Sequence, residues 1–298
     1  MLNLFVASLI WAFSFGLIKT SLTGMDPNVV SFIRLALSFL IFVPLLNLKG
    51  IRSNKLGNQI VAKLVFIGAI QFGVMYATYI YSFQFLKSYE VALFTILTPI
   101  YVTVLNDIIN KKPLDIPAIF SAVIAVLGAG YIVYSKLSDN VFLIGVILVQ
   151  ASNLCFAIGQ VYYKRVMLKH STLESQNVFA FLYAGGAGVV LLFSLISGGW
   201  KDFAPTGEQI SALVYLGVIA SGIGFFLWNL GAVKAKISSL AVMNNAKIPL
   251  AIFCSVFFFG ESVEWRKLLI GGGIMLIAVI LSEKERIKAR WPFRRLGA

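Results

Sequence analysis

Charge is scarce in this chain, and acid is scarcest: charged residues make up 12% of the 298, only 12 residues are Asp or Glu, and histidine occurs once. Soluble domains carry about twice that share of charge, while here 59% of residues are hydrophobic and mean hydropathy is +0.89. The composition is that of an integral membrane protein.

Apolar stretches long enough to cross a bilayer, about 20 residues each, recur along the chain at roughly 2–20, 28–48, 62–86, 90–109, 117–134, 142–163, 177–197, 210–231, 238–259 and 267–282. A soluble helical domain would need polar faces that these runs lack, and a β-barrel would show shorter, alternating segments. The expected fold is therefore an all-α membrane bundle of ten helices. The first run has no basic n-region and no small-residue cleavage site, so it reads as the first span and not as a signal peptide.

The other shortages exclude chemistry. Cys155 and Cys254 lie in different spans without metal-ligand spacing and read as packing residues. The one histidine, His170, falls in the loop segment "KRVMLKHSTLES". No HExxH motif, no paired intramembrane carboxylates and no phosphate-binding loop are present, so neither an intramembrane enzyme nor drive by ATP from this chain is expected. No cofactor or metal is expected.

Lysine and arginine are what the chain has in excess, with a formal net charge of +13. With the N-terminus in the cytoplasm, 17 of the 25 basic residues fall in inner loops and the tail "EKERIKARWPFRR", 6 at outer ends, and two, Arg34 and Lys247, within spans. That distribution obeys the positive-inside rule and places both termini in the cytoplasm. It accounts for the basic charge without nucleic acid, and a tail that meets anionic lipid is compatible with it.

The chain also repeats. "FLKSYEVALFTILTPIYVTVLND" (residues 85–107) aligns without a gap on "AKISSLAVMNNAKIPLAIFCSVF" (residues 235–257), placing Pro99 opposite Pro249. "PNVVSFIRLALSFLIF" likewise resembles "SQNVFAFLYAGGAGVV". Five spans followed by five form an odd-numbered repeat, so the second copy enters the membrane upside down. The expected units are a first five-helix repeat at 1–137, an inverted second at 138–283, and a basic tail at 284–298. Inverted repeats supply two nearly equivalent conformations around a midplane site, which is the mechanics of transport.

With "SLIWAFSFGLIKT" in span one, "SFIRLALSFLIF" in span two, the prolines of spans four and nine, and "FFFGESVEWRKLLIGGGIMLIAVILS" closing the second copy, the whole chain resembles the EamA-type members of the drug/metabolite transporter superfamily. The resemblance implies a central cavity lined mainly by spans one, three, four, six, eight and nine, and small metabolites as cargo, often carried outward across the inner membrane. It does not choose among cargoes.

Side-chain chemistry in such a cavity narrows the choice. On a helical wheel, Asn244, Lys247, Ile248, Ala251 and Ser255 share one stripe of span nine, with Lys247 near the midplane, where a lipid-facing lysine costs about 2.5–3.5 kcal/mol. That stripe is expected to face the interior. Aromatic and polar side chains answer it from the other spans. The candidate substrate-binding residues are Trp11, Ser14, Tyr76, Tyr79, Phe94, Thr98, Tyr101, Asn153, Gln160, Trp228, Asn244 and Lys247, with Pro99 and Pro249 as candidate hinges.

A cation and amides facing tyrosines and tryptophans suit a small molecule with an anionic group, an amino acid or related carboxylate first. Organic cations held by aromatic faces are the alternative, opposed by the charge of Lys247 unless burial leaves that amine neutral, and a lipid flippase is a further one. Arg34 is expected to pair with an interfacial acid or reach outward, with substrate contact the lesser reading. Of the acids near membrane ends, Asp26, Glu90, Asp107, Glu261 and Glu264, Glu90 is the best placed for proton coupling, though a helix-start role is the expected one for such a carboxylate. The glycines at 185, 186, 188, 222, 224 and 271–273 are expected to allow close helix approach. A homodimer is possible.

Overall fold

The structure, a computed structural model, describes residues 2–46, 57–111, 140–201, 203–235 and 237–290, and isolated positions between 120 and 131. The fifth expected span and the end of the basic tail lie largely outside the described residues. Within them the chain is helical throughout, with no strand.

Seven described helices are long and apolar enough to cross a membrane. They are α1 (Leu2–Ser21), α2 (Pro27–Phe42, continued by a 3-10 turn at Val43–Leu45), α3 (Asn58–Ser82), α4 (Ser88–Ile109), α5 (Asn140–Lys169), α6 (Ser175–Ser197) and α7 (Gly207–Lys234). Two more follow, α8 (Ile237–Phe257) and α9 (Trp265–Arg290), the last continuing well into the basic tail.

Local chemistry sets the helix starts. Asp26 caps α2, its Oδ1 accepting from the backbone N–H groups of Asn28 and Val29 at 2.9 Å each, with Pro27 next in line. Glu90 accepts from the Lys87 N–H at 2.9 Å, and the Glu261 carboxylate accepts from Ser88 and Tyr89 at 3.0 and 3.3 Å. These two acids therefore hold the positive end of the α4 dipole, as expected for them. Thr206 and Gln209 form a capping box on α7.

Some of the expected glycines join helices. A Cβ on Gly68 would stand 1.9 Å from the Leu182 carbonyl oxygen, and one on Gly185 1.9 Å from that of Val65, so α3 and α6 touch backbone to backbone. Gly186 meets Phe72 on the same seam. Gly188 and Gly273, expected to do likewise, have nothing within 4 Å among the described residues.

The helix contacts fall into matched sets. Helix α1 packs on α8 and α7, α5 packs on α4 and α3, α2 packs on α7, α6 packs on α3, and α2 and α6 pack on each other. Both α3 and α7 widen midway into π-helix, at Ala69–Val74 and Tyr215–Ile223. π segments are rare and gather at functional sites; these two stand at corresponding places in the two halves.

Candidate functional site

Each irregular turn frees backbone carbonyls, and side chains from other helices take them. Pro99 has no N–H for the Thr95 carbonyl, and α4 tightens to a 3-10 turn at Thr95–Leu97. The Thr95 carbonyl then accepts from the Thr98 N–H and, at 3.4 Å, from Asn244 Nδ2 on α8. The Phe94 carbonyl, at the start of that turn, also accepts from Asn153 Nδ2 at 3.0 Å and Gln150 Nε2 at 3.3 Å on α5. On α7 the Gly224 N–H reaches back to Ile219, and the Ala220 carbonyl beside it receives Trp11 Nε1 at 3.0 Å. In α8, by contrast, Pro249 leaves the helix unbroken, is itself exposed, and sits four residues beyond Asn245, a buried side chain whose amide atoms have no partner.

These anchors surround a small cavity of about 70 Å³. Helix α1 contributes Trp11, Ser14 and Phe15; α3 contributes Met75, Tyr76 and Tyr79; α4 contributes Thr95 and Thr98. Ser152, Asn153 and Phe156 of α5, Phe225 of α7, Lys247 of α8 and Arg34 of α2 complete the wall. Trp11 packs with tilted rings against Phe225 and Trp228, centroids 4.7 Å and 5.1 Å away, giving an aromatic floor.

Of the sequence candidates, Trp11, Ser14, Tyr76, Tyr79, Thr98, Asn153 and Lys247 thus come together. Phe94, Tyr101, Gln160, Trp228 and Asn244 do not line this cavity. Phe94 is buried, Tyr101 donates to Gln150 Oε1 at 3.1 Å, and Trp228 Nε1 donates to Gln160 Oε1 at 3.1 Å beneath the aromatic floor. A wheel at constant pitch misplaces Phe94 and Tyr101, since the 3-10 turn between them has three residues per turn. Asn244 instead holds Lys247, its Oδ1 accepting from Nζ at 3.0 Å.

Arg34 corrects the expectation most. It is 2% exposed and neither pairs with an acid nor reaches outward. Its Nε donates to Ser221 Oγ at 3.2 Å and its Nη2 to the Tyr76 hydroxyl at 3.1 Å, while its Nη1, also buried, has no partner among the described residues. Ser221 Oγ donates to the Leu216 carbonyl at 2.6 Å, leaving its lone pairs for Arg34 and for Tyr76 at 2.7 Å. The π turn that places Ser221 thereby aims a guanidinium. The signal was in the sequence: an arginine two turns into an apolar helix must face protein or water.

Lys247 is 7% exposed and lies 5.6 Å from the Trp11 ring centroid. Two basic side chains therefore face the cavity, and among the described residues no Asp or Glu lines it. Among the described residues neither cation has a carboxylate partner.

Two other cavities flank this one. At one end of the bundle, a wide opening of about 930 Å³ is lined by the ends of α1 and α3 and the starts of α2 and α7, including Lys19, Asp26, Tyr81, Phe83, Thr206 and Gln209. At the other end, about 150 Å³ lies among Asn106, Asn110, Gln160, Lys164, Arg165 and Leu240.

The EamA-like transporter family matches residues 1–134 and again residues 143–283. The biotin transporter of Escherichia coli (strain K12) is 36% identical over 282 residues, covering 94% of this chain and 92% of its own; that of Salmonella typhimurium is 34% identical over the same shares. A probable biotin transporter of Pseudomonas aeruginosa is 33% identical, covering 96% of this chain and 99% of its own. A solved crystal structure, 16% identical, shares the fold with a TM-score of 0.66 over 100% of this chain and 98% of its own. Every one of the named relatives is a transporter and none is an enzyme; this multi-pass membrane protein belongs to the EamA-like transporter family.

Proposed function

We propose that the protein carries biotin, or a carboxylate built like it, by alternating access through the central cavity. The observation that carries this reading is the pair of cations, Arg34 and Lys247, facing one aromatic cavity with no acid in its wall. A carboxylate bound between them would take up the free N–H groups of Arg34 Nη1 and Lys247 Nζ in charge-assisted hydrogen bonds. The aromatic floor suits an apolar ring system, and Ser14, Thr98, Ser152 and Asn153 suit the donors and acceptors of a ureido group. The names of the relatives point the same way.

Amino acids, the first choice from sequence, fit less well. Their ammonium group would need an acid, and the wall has none. Organic cations would meet two like charges. We assign binding roles to the seven sequence candidates that line the cavity and to Arg34, and a hinge role to Pro99, where the α4 ladder is broken.

We further propose ten spans in two inverted five-helix repeats, 1–137 and 138–283, with both termini in the cytoplasm of a cell whose inner membrane holds the protein. The matched helix contacts, the corresponding π segments and the two successive family matches support the repeat. The positive-inside count supports the orientation.

Proteoliposomes loaded with labelled biotin test the cargo. Unlabelled biotin and related carboxylates should compete, and amino acids and organic amines should not. Competition by cations alone would overturn the reading.

A further inference from the structure

The two flanking cavities share a construction that the central site does not explain. At the wide opening, Lys19 of α1 donates its ammonium to the carbonyl of Phe83, the residue that caps the C-terminus of α3. At the other end, Lys164 of α5 donates at 3.0 Å to the carbonyls of Ala232 and of Ala235, the residue that caps the C-terminus of α7. Helices α1 and α5 open the two halves, and α3 and α7 are the pair with π segments. One device is therefore built twice.

The two copies stand at opposite faces. Helix α4 starts at Ser88, just after the α3 terminus that Lys19 meets, and its far end, Asn106 to Asn110, lines the cavity of Lys164. Both lysines are half-buried and each lines its mouth. Helix C-terminal carbonyls at a membrane face can be served by water, so neither helix end requires a lysine. Each ammonium instead is held in place by the negative end of a helix dipole. One acceptor leaves Lys19 two N–H groups, and two leave Lys164 one. Gln209 beside Lys19, and Asn106 and Asn110 beside Lys164, add neutral polar groups. Of the acids near it, Asp26 is engaged by two backbone N–H groups, and Glu90 and Glu261, which also act on Lys19, accept from backbone N–H groups at the start of α4.

We propose that Lys19 and Lys164 form a matched pair of carboxylate-binding sites, one at each mouth, where an anionic substrate docks before entering, or after leaving, the cavity of Arg34 and Lys247. This rests on the carboxylate reading above, and it adds two sites and a sidedness to it.

The test uses full-length protein in proteoliposomes of known orientation, with biotin and its uncharged amide presented at one face at a time. Lys19→Gln should raise KM for biotin about tenfold at the Lys19 face, the worth of one hydrogen bond to a charge. KM at the opposite face and Vmax should hold. Lys164→Gln should do the reverse, the amide should be indifferent to both, and Lys19→Arg and Lys164→Arg should keep most of the effect of the charge. Equal KM changes at both faces for acid and amide alike, accompanied by a lower Tm, would reduce the lysines to helix caps and overturn the proposal. So would wild-type KM in both variants; if Arg34→Met still abolished transport in the same vesicles, the cargo reading would stand while the mouth sites fell. A wild-type protein that moves no biotin would overturn both.

Discussion

Replacing Arg34 by methionine separates a binding role from a structural one. The guanidinium makes two hydrogen bonds, to Ser221 and Tyr76. Each is worth about 1.5–3 kcal/mol because the donor is charged. Against that loss stands the desolvation of a buried guanidinium, several kcal/mol that the variant no longer bears. No carboxylate is stranded, and Ser221 and Tyr76 keep their own contacts at 2.7 Å and to Leu216 at 2.6 Å. The opposing terms nearly cancel, so Tm in detergent should move by only a few degrees. A substrate carboxylate loses a charge-assisted partner worth about 3 kcal/mol, and kcat/KM for biotin uptake should fall about 10²-fold. Arg34→Lys should recover only part, lacking the fork that reaches Ser221, Tyr76 and the cavity together. Two results would refute the reasoning: a well-folded Arg34→Met that transports at the wild-type rate, or a collapse of Tm and expression that tracks the loss of transport.

Lys247→Met should keep or raise Tm, since no paired acid is left behind, while uptake falls steeply; parallel measurement of Tm and uptake checks it. Pro99→Ala restores an N–H for the Thr95 carbonyl and should draw α4 back toward regular helix, loosening the grip of Asn244, Gln150 and Asn153; uptake should drop while Tm rises slightly. Gly68→Val forces a side chain against the Leu182 backbone, where even a Cβ would stand at 1.9 Å. Overpacking typically costs about 1–3 kcal/mol, and here both neighbours are backbone, so Tm and yield should fall at or beyond that range.

Much of the architecture was legible because a bilayer imposes a single length and polarity on every helix. The runs at 2–20 and 177–197 match α1 and α6 within a residue or two. Lys247 was legible for the same reason, since a midplane charge has few places to go. Phe94 and Tyr101 were not, because side-chain direction beyond a 3-10 turn depends on local pitch, and the proline marks the break without stating the rotation. The π segments were hidden more completely. Their one trace is the glycines at 73, 217, 222 and 224, and only the neighbours they meet in the fold, Val189 and Gly186 for Gly73, Leu37 for Gly217, Ile41 for Gly222 and Trp11 for Gly224, give those positions meaning. Arg34 was misassigned because depth was weighed without asking which helices could supply it acceptors. Serine and tyrosine hydroxyls on α7 and α3 took the place of the expected acid.

The central claim is that two buried cations read a carboxylate. Calorimetric titration of the purified protein with biotin and with its uncharged amide tests it, in the wild type and in the Arg34→Met, Lys247→Met double variant. The account predicts that the wild type binds biotin about 10²-fold more tightly than the amide, and that the double variant binds the two alike. Equal affinity for acid and amide in the wild type would contradict it.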